Sequence, residues 1–173
     1  MLFELLAAVF AGLALAGIAM SLRWISRQRL PKWIVPVAAG SGMLLYSVWS
    51  EYSWLDRTVN SMPSVAVAWQ SEDRAPWRPW SYVKPLSLRF TGVDRSSVQR
   101  HPAQPGQVMV DLVFAARWQP LARVKVVYDC NGHRRADVLD QPIEIAPDGS
   151  IVGARWIGVG ADDPVLRTAC ATT

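Results

Sequence analysis

Charge placement between two apolar runs constrains this chain more than any other feature. Leu2 to Leu22 carries one charged residue, Glu4, near its start, and Trp33 to Trp49 carries none. Between them, residues 23–32 hold four cations, Arg23, Arg27, Arg29 and Lys32, and no acid. About 20 apolar residues in a helix cross a hydrocarbon core roughly 30 Å thick. The sequence therefore predicts a two-helix transmembrane hairpin over residues 1–50, with spans at 2–22 and 33–49. The second span is the shorter one. Its Pro36 falls in the first turn, where a missing N–H is tolerated.

Short connectors rich in Lys and Arg stay on the cytoplasmic side. The loop 23–32 is thus expected in the cytoplasm. The N-terminus and everything after residue 50 are expected on the far, periplasmic side of a bacterial-type inner membrane. Trp24 and Trp33 would mark the inner interface, and Tyr46, Trp49, Tyr52 and Trp54 the outer one. A cleaved signal peptide at residues 1–22 fits worse. The start has an acid where such signals have cations, the cations follow the apolar run, and a second apolar run comes directly after.

Small residues recur every four positions, at Ala8, Gly12 and Ala16 in the first run and at Ala38 and Gly42 in the second. Such stripes let helix backbones approach closely. They serve packing of the two helices on each other, or docking against another membrane subunit. Neither run carries a charge at mid-membrane depth, which argues against a transport or proton path.

The formal charge of +4 is mostly a property of the connector. Of eighteen basic residues four lie there, leaving fourteen after residue 50 to face thirteen acids. That balance gives no electrostatic footprint for nucleic acid. Residues 51–85 read as a juxtamembrane linker rich in Pro and Trp. Met62-Pro63 ends any extension of the second helix, and Ala75-Pro76-Trp77-Arg78-Pro79-Trp80 followed by Pro85 is an irregular stretch.

Residues 86–173 read as a small β-dominated, antiparallel domain, so that the expected fold is the transmembrane hairpin plus this extracytoplasmic sheet. Val65 to Trp69 alternates weakly. Leu86, Leu88 and Phe90 alternate with Ser87 and Arg89; Val108, Val110, Leu112 and Phe114 share a face; Val124, Val126 and Tyr128 repeat the pattern. A two-residue period marks a half-buried strand. Asn131-Gly132 and Asp148-Gly149 each sit between such runs and predict tight hairpin turns with positive φ. The first joins Cys130 to the run His133–Leu139; the second joins Ile143–Ile145 to Ile151-Val152.

Both cysteines, Cys130 and Cys170, fall in the exported part. An even number of cysteines in an oxidising compartment points to a disulfide. A competing reading is a metal site built from Cys130, His133, His101 and Cys170. These ligands are scattered, whereas structural zinc shows two close pairs, so no metal and no cofactor is expected.

No nucleophile elbow, P-loop, dinucleotide fingerprint or zinc-protease motif occurs in the sequence. Asp162-Asp163 reads as a solvated loop before Pro164. Arg134 and Arg135 point to opposite faces of a strand, with Asp129 and Asp137 as cross-strand partners. Three tryptophans lie within residues 69–80. Trp77, Arg78 and Trp80 form the candidate interface, an aromatic and cationic platform for a protein, peptide or glycan; the competing reading is that these rings cover the sheet edge or rest on the membrane surface.

The succession Val126-Val127-Tyr128-Asp129-Cys130, Arg134-Arg135, Asp148-Gly149-Ser150, Trp156 and Cys170 resembles the surface-adhesin protein E family. The resemblance spans about residues 82–170. It implies an antiparallel sheet with a disulfide and a binding role without catalysis. The chain departs from that family in carrying two apolar helices in place of a lipoprotein-type export signal. The reading is a non-catalytic, membrane-anchored accessory protein that contacts lipid and another envelope protein or membrane complex. The alternative is a periplasmic sensor or binding module for a glycan or small molecule.

Overall fold

The computed structural model describes residues 2–138, 144–145 and 151–171. The chain divides into two compact units, Met1–Trp54 and Leu55–Thr173. In chain order, the described elements are α1 (Leu2–Ile25), α2 (Ile34–Asn60), β1 (Val65–Gln70), β2 (Arg89–His101), β3 (Gln104–Ala116), β4 (Ala122–Asp129), β5 (Arg134–Asp137), β6 (Glu144–Ile145), β7 (Ile151–Val152), β8 (Ile157–Gly158) and α3 (Pro164–Ala171).

In the first unit, α1 and α2 approach through their smallest residues. A Cβ added to Gly42 would lie 2.7 Å from the carbonyl oxygen of Ala11, and one added to Gly12 would lie 2.8 Å from the Met43 side chain. Near the other end of α1, the Ser50 hydroxyl donates to the Glu4 carboxylate at 3.3 Å. Glu4 facing Ser50 and Gly12 facing Gly42 make the pair antiparallel. Gly12 and Gly42, one from each small-residue stripe, thus lie in the α1–α2 contact.

The connector between the helices is fixed by backbone bonds. Gln28 N–H donates to Arg23 O at 2.9 Å and Arg27 N–H to Trp24 O at 3.1 Å, the bond pair of a Schellman helix end. Arg27 and Gln28 adopt φ of 49° and 63°, left-handed values that cost a side chain-bearing residue roughly 1–2 kcal/mol. The Arg23 guanidinium offsets part of this by donating to Leu30 O at 3.1 Å and to the Gln28 side chain at 2.9 Å.

Among the described residues, one helix, α1, is long and apolar enough to cross a membrane. The second expected span does not reach the same hydropathy. Pro36, Gly40-Ser41-Gly42, Tyr46-Ser47 and Ser50 dilute its apolar content, and Glu51 follows within the same helix.

The second unit is built on a six-stranded antiparallel sheet ordered β1-β2-β3-β4-β5-β8. Helix α3 covers one face. Its Leu166 and Ala169 join Val93, Val108, Val110, Leu112, Val126 and Tyr128 in one buried cluster. The opposite face buries Phe90, Val113, Ala115, Val127 and Ala136. Burial on both faces explains why β3 reads as a nearly continuous apolar run.

Several expectations change in detail. Residues 65–70, inside the stretch read as linker, are an edge strand of the sheet. The Leu86–Phe90 strand begins only at Arg89. Before it, the Ser71 hydroxyl takes the Leu88 and Arg89 N–H groups at 3.2 and 3.1 Å, replacing a ladder partner. β2 then runs through the polar stretch 94–101, whose alternation is hidden by a large bulge. Asp94 opposes Asp111 but Gln99 opposes Met109. The Asp94 carboxylate and the Ser97 hydroxyl hold the bulged backbone together.

The β4–β5 hairpin forms at Asn131-Gly132, but the positive φ falls on His133 (48°). The Asp129 carboxylate accepts the N–H groups of Asn131 and Gly132 at 3.1 and 3.0 Å, so the turn is shaped by an Asx interaction that does not need glycine's conformational freedom. Strands β6 and β7 pair as a hairpin, with Ile145 opposite Ile151. Leu139, Ile143 and the Asp148-Gly149-Ser150 turn lie outside the described residues.

Candidate functional site

Strict alternation along β1 would place Trp69 on the side of Val65 and Val67. Those two residues oppose Asp94 and Gly92. The pairing then slips: Trp69 opposes Thr91, and Ala68 has no partner across. Such a bulge re-aims the following side chain. It brings Trp69 onto the face that α3 covers, in a cross-strand row Trp69–Thr91–Phe114–Ala122.

Helix α3 does not extend over this row. The Asp163 carboxylate caps its first turn by accepting the N–H groups of Val165 and Leu166 at 2.8 and 2.9 Å, and Pro164 follows at the position where its missing N–H costs nothing. The uncovered row floors a groove made of two adjoining cavities. One, of about 310 Å³, lies between Trp69, Arg89, Thr91, Phe114 and the β3–β4 turn at Gln119 and Pro120. The other, of about 300 Å³, lies between Trp69, Thr91, Phe114 and the start of α3, with Tyr128 and Arg135 along its side. Trp69 and Phe114 remain substantially exposed.

The groove is apolar in the middle and polar at its ends. Burial pushes the Tyr128 phenol up to about 12; the Arg135 guanidinium opposes this, and the Asp163 and Asp137 carboxylates add to it. The phenol is therefore a neutral hydrogen-bonding group at physiological pH. Arg135 lies 3.9 Å from Asp137. The groove thus offers two aromatic rings, a threonine hydroxyl and one guanidinium at each end, with the Tyr128 phenol buried beneath it, the chemistry of recognition by stacking and hydrogen bonding.

The other residues singled out in the sequence lie elsewhere. Trp77, Arg78 and Trp80 share one loop, Trp77 exposed and the other two partly buried. Cys130 and Cys170 form a disulfide with Cα atoms 5.9 Å apart, tying the end of β4 to α3. Neither sulfur is then a thiolate for a metal. Arg134 is committed to Asp129 at 2.6 Å, with its guanidinium 5.3 Å from the Trp156 ring. Burial pushes the Asp129 carboxyl up, but Arg134 and the Gly132 and Asn131 N–H groups together hold it below the ordinary range. Asp163 is a helix cap, not a solvated loop residue.

Sequence reasoning missed Trp69 beside Thr91, because the β1 bulge leaves no mark in the hydrophobic pattern; Tyr128 opposite Arg135 follows from the Asn131-Gly132 hairpin. The start of α3 did leave a signal: Asp163-Pro164 before Val165 and Leu166 is a cap followed by proline at the first helical position. Comparison with family models, curated proteins and solved structures yields no match to this chain.

Proposed function

We propose that this chain is a membrane-anchored, non-catalytic accessory protein whose sheet domain holds an extended segment of another envelope protein in the Trp69–Phe114 groove. In this reading α1 and the uncharged part of α2 both span a bacterial inner membrane, residues 23–32 face the cytoplasm, and the sheet domain is periplasmic. The uncovered Trp69–Thr91–Phe114 row carries the proposal. Apolar rings left open beside a closed core are the usual anchors of a protein contact. The disulfide and the apolar α1 support an oxidising compartment at a membrane, and the resemblance to surface-adhesin protein E supports binding.

The test is purification of the intact protein in mild detergent. A partner should be retained in fixed stoichiometry, and Thr91→Arg, which fills the groove from its floor, should release it without changing the melting temperature. A lone monomer, or a partner held equally by Thr91→Arg, contradicts the proposal. Cavities of about 300 Å³ reach the lower bound of small-ligand pockets, which favours a glycan or small molecule as the second reading. That reading predicts a partner-free monomer whose tryptophan emission shifts on titration with soluble oligosaccharides, and a Thr91→Arg variant that shows no shift.

A further inference from the structure

The segment between β1 and β2, residues 71–88, leaves the sheet as a pinned excursion. At its base Ser71 N–H donates to Arg89 O at 2.9 Å. At its neck Asp73 and Leu86 exchange both backbone bonds, at 2.8 and 3.0 Å. At its centre the fully buried Ser81 hydroxyl accepts the Ala75 N–H at 3.0 Å and donates to Arg78 O at 2.7 Å. A short 3₁₀ turn, Pro79–Tyr82, completes it. Proline at 76, 79 and 85 further limits the backbone.

What this framework presents outward is apolar. Trp77 is 75% exposed, Tyr82 58% and Val83 91%. A rigid loop loses little entropy on docking, and exposed apolar side chains on a pinned loop need a partner phase. The charge around them identifies that phase. The excursion holds three cations, Arg74, Arg78 and Lys84, and two acids, Glu72 and Asp73, which sit at its neck, so the part that carries Trp77, Tyr82 and Val83 is cationic. Trp and Tyr prefer the headgroup layer, where ring and polar edge are both accommodated. Cations beside them face anionic phosphates, each contributing about 1 kcal/mol near an anionic surface.

We propose that the Arg74–Lys84 loop is a lipid-surface contact, in which Trp77, Tyr82 and Val83 sit at headgroup depth and the exposed Arg74 and Lys84 side chains face lipid phosphate. This rests on the membrane-anchored reading given above. The contact would add a second, shallow attachment for the periplasmic domain and restrict how the groove is presented to a partner.

The test uses the full chain in lipid nanodiscs containing anionic lipid, with its disulfide intact so that only an introduced thiol reacts. One variant, Val83→Cys, carries an environment-sensitive dye in the loop. A second, Leu13→Cys, carries it in the middle of α1. Lipids bearing a nitroxide near the headgroup should quench most of the Val83→Cys emission, and lipids bearing it deep in the acyl chain should quench the Leu13→Cys emission. Replacing Arg74 and Lys84 by Gln should reduce the shallow quenching. If Leu13→Cys is quenched and Val83→Cys stays open to aqueous iodide, the loop proposal is overturned while the anchor stands. If neither is quenched, the anchor fails and the loop proposal falls with it. If Val83→Cys is shielded from iodide in native membranes but not in nanodiscs, the loop contacts a protein, which also overturns the proposal.

Discussion

The two units of this chain sort their side chains in opposite ways. In residues 1–54 the contacts are made by Gly12, Gly42 and Ala19, while Phe3, Phe10 and Trp24 point outward at 85%, 66% and 77% exposure. In residues 55–173 a core of large side chains is inside: Tyr128, Phe90, Leu86 and Leu112 are almost wholly buried, while Trp69, Trp77 and Trp118 stay at the surface. A chain in water buries its big apolar groups, because each stabilises the fold by about 1.5–3 kcal/mol. In lipid that gain vanishes, and helices associate through close backbone packing of small residues. The contrast supports the proposed reading, with lipid around the first unit and water around the second.

The first way to break the comparison is at the disulfide. Closing a loop of 40 residues is worth about 4 kcal/mol in the chain-entropy model. Cys130→Ser with Cys170→Ser should lower the stability of the sheet unit by about that much, the largest single effect expected, read by thermal melting of the detergent-solubilised chain. The helical unit has no cross-link among its described residues, and its helicity should persist to higher temperature in the variant.

A matched pair of leucine truncations sharpens the contrast. Leu166→Ala empties a buried position under α3 and should cost about 3 kcal/mol. Leu13→Ala removes the same atoms from an exposed site on α1 and should leave detergent-phase melting nearly unchanged. Equal losses at the two sites would erase the distinction between the units. Enlarging a small residue should show the converse. Gly42→Ile places a branched side chain against the Ala11 backbone and should cost about 2 kcal/mol through overpacking, read as loss of α1–α2 cross-linking between cysteines introduced at Ala8 and Tyr46.

The smallest expected effect is on pH dependence, and it belongs to the sheet unit. The Asp94 carboxyl is held below the ordinary value of 3.8 mainly by the Ser96 hydroxyl, against the opposing push of burial. Asp129 is lowered as well, by Arg134 and two backbone N–H groups acting against burial. A lowered folded-state pKa gives stability that is complete above the unfolded value and is lost as pH falls through the folded one. Melting temperature should therefore be level from neutrality to about pH 5 and fall below 3.8. Asp129→Asn should flatten that fall. An unchanged acid limb would remove the Asp129–Arg134 pair from the account.

How much of this was legible in the sequence follows from the same contrast. The helices were, because an apolar run interrupted only by a basic connector has few alternatives, and Gly12 and Gly42 mark the contact directly. Strands β3 and β4 were, because Val108, Val110, Leu112 and Phe114, and then Val124, Val126 and Tyr128, recur at a two-residue spacing. The disulfide was, because the chain's two cysteines both fall in the second unit and have each other as partners. The groove was not. It depends on a bulge at Ala68 that reverses Trp69 and on α3 ending short of Thr91, both outcomes of tertiary packing. β2 was hidden because Asp94, Ser96 and Ser97 replace ladder bonds with side-chain bonds, and such residues read as loop. Helix α3 was hidden by its length, eight residues, although its Asp163-Pro164 start was visible.

The central claim of the proposed reading is that the helices of the first unit cross the membrane and that the sheet unit lies on the side away from the charged connector. Labelling of single cysteines with a membrane-impermeant maleimide on intact spheroplasts tests it most directly, using Arg29→Cys in the connector and Gln119→Cys in the β3–β4 turn. The account predicts that Gln119→Cys is labelled at once and Arg29→Cys only after the membrane is opened. The reverse pattern, or recovery of the unlabelled chain in the soluble fraction without detergent, would contradict it.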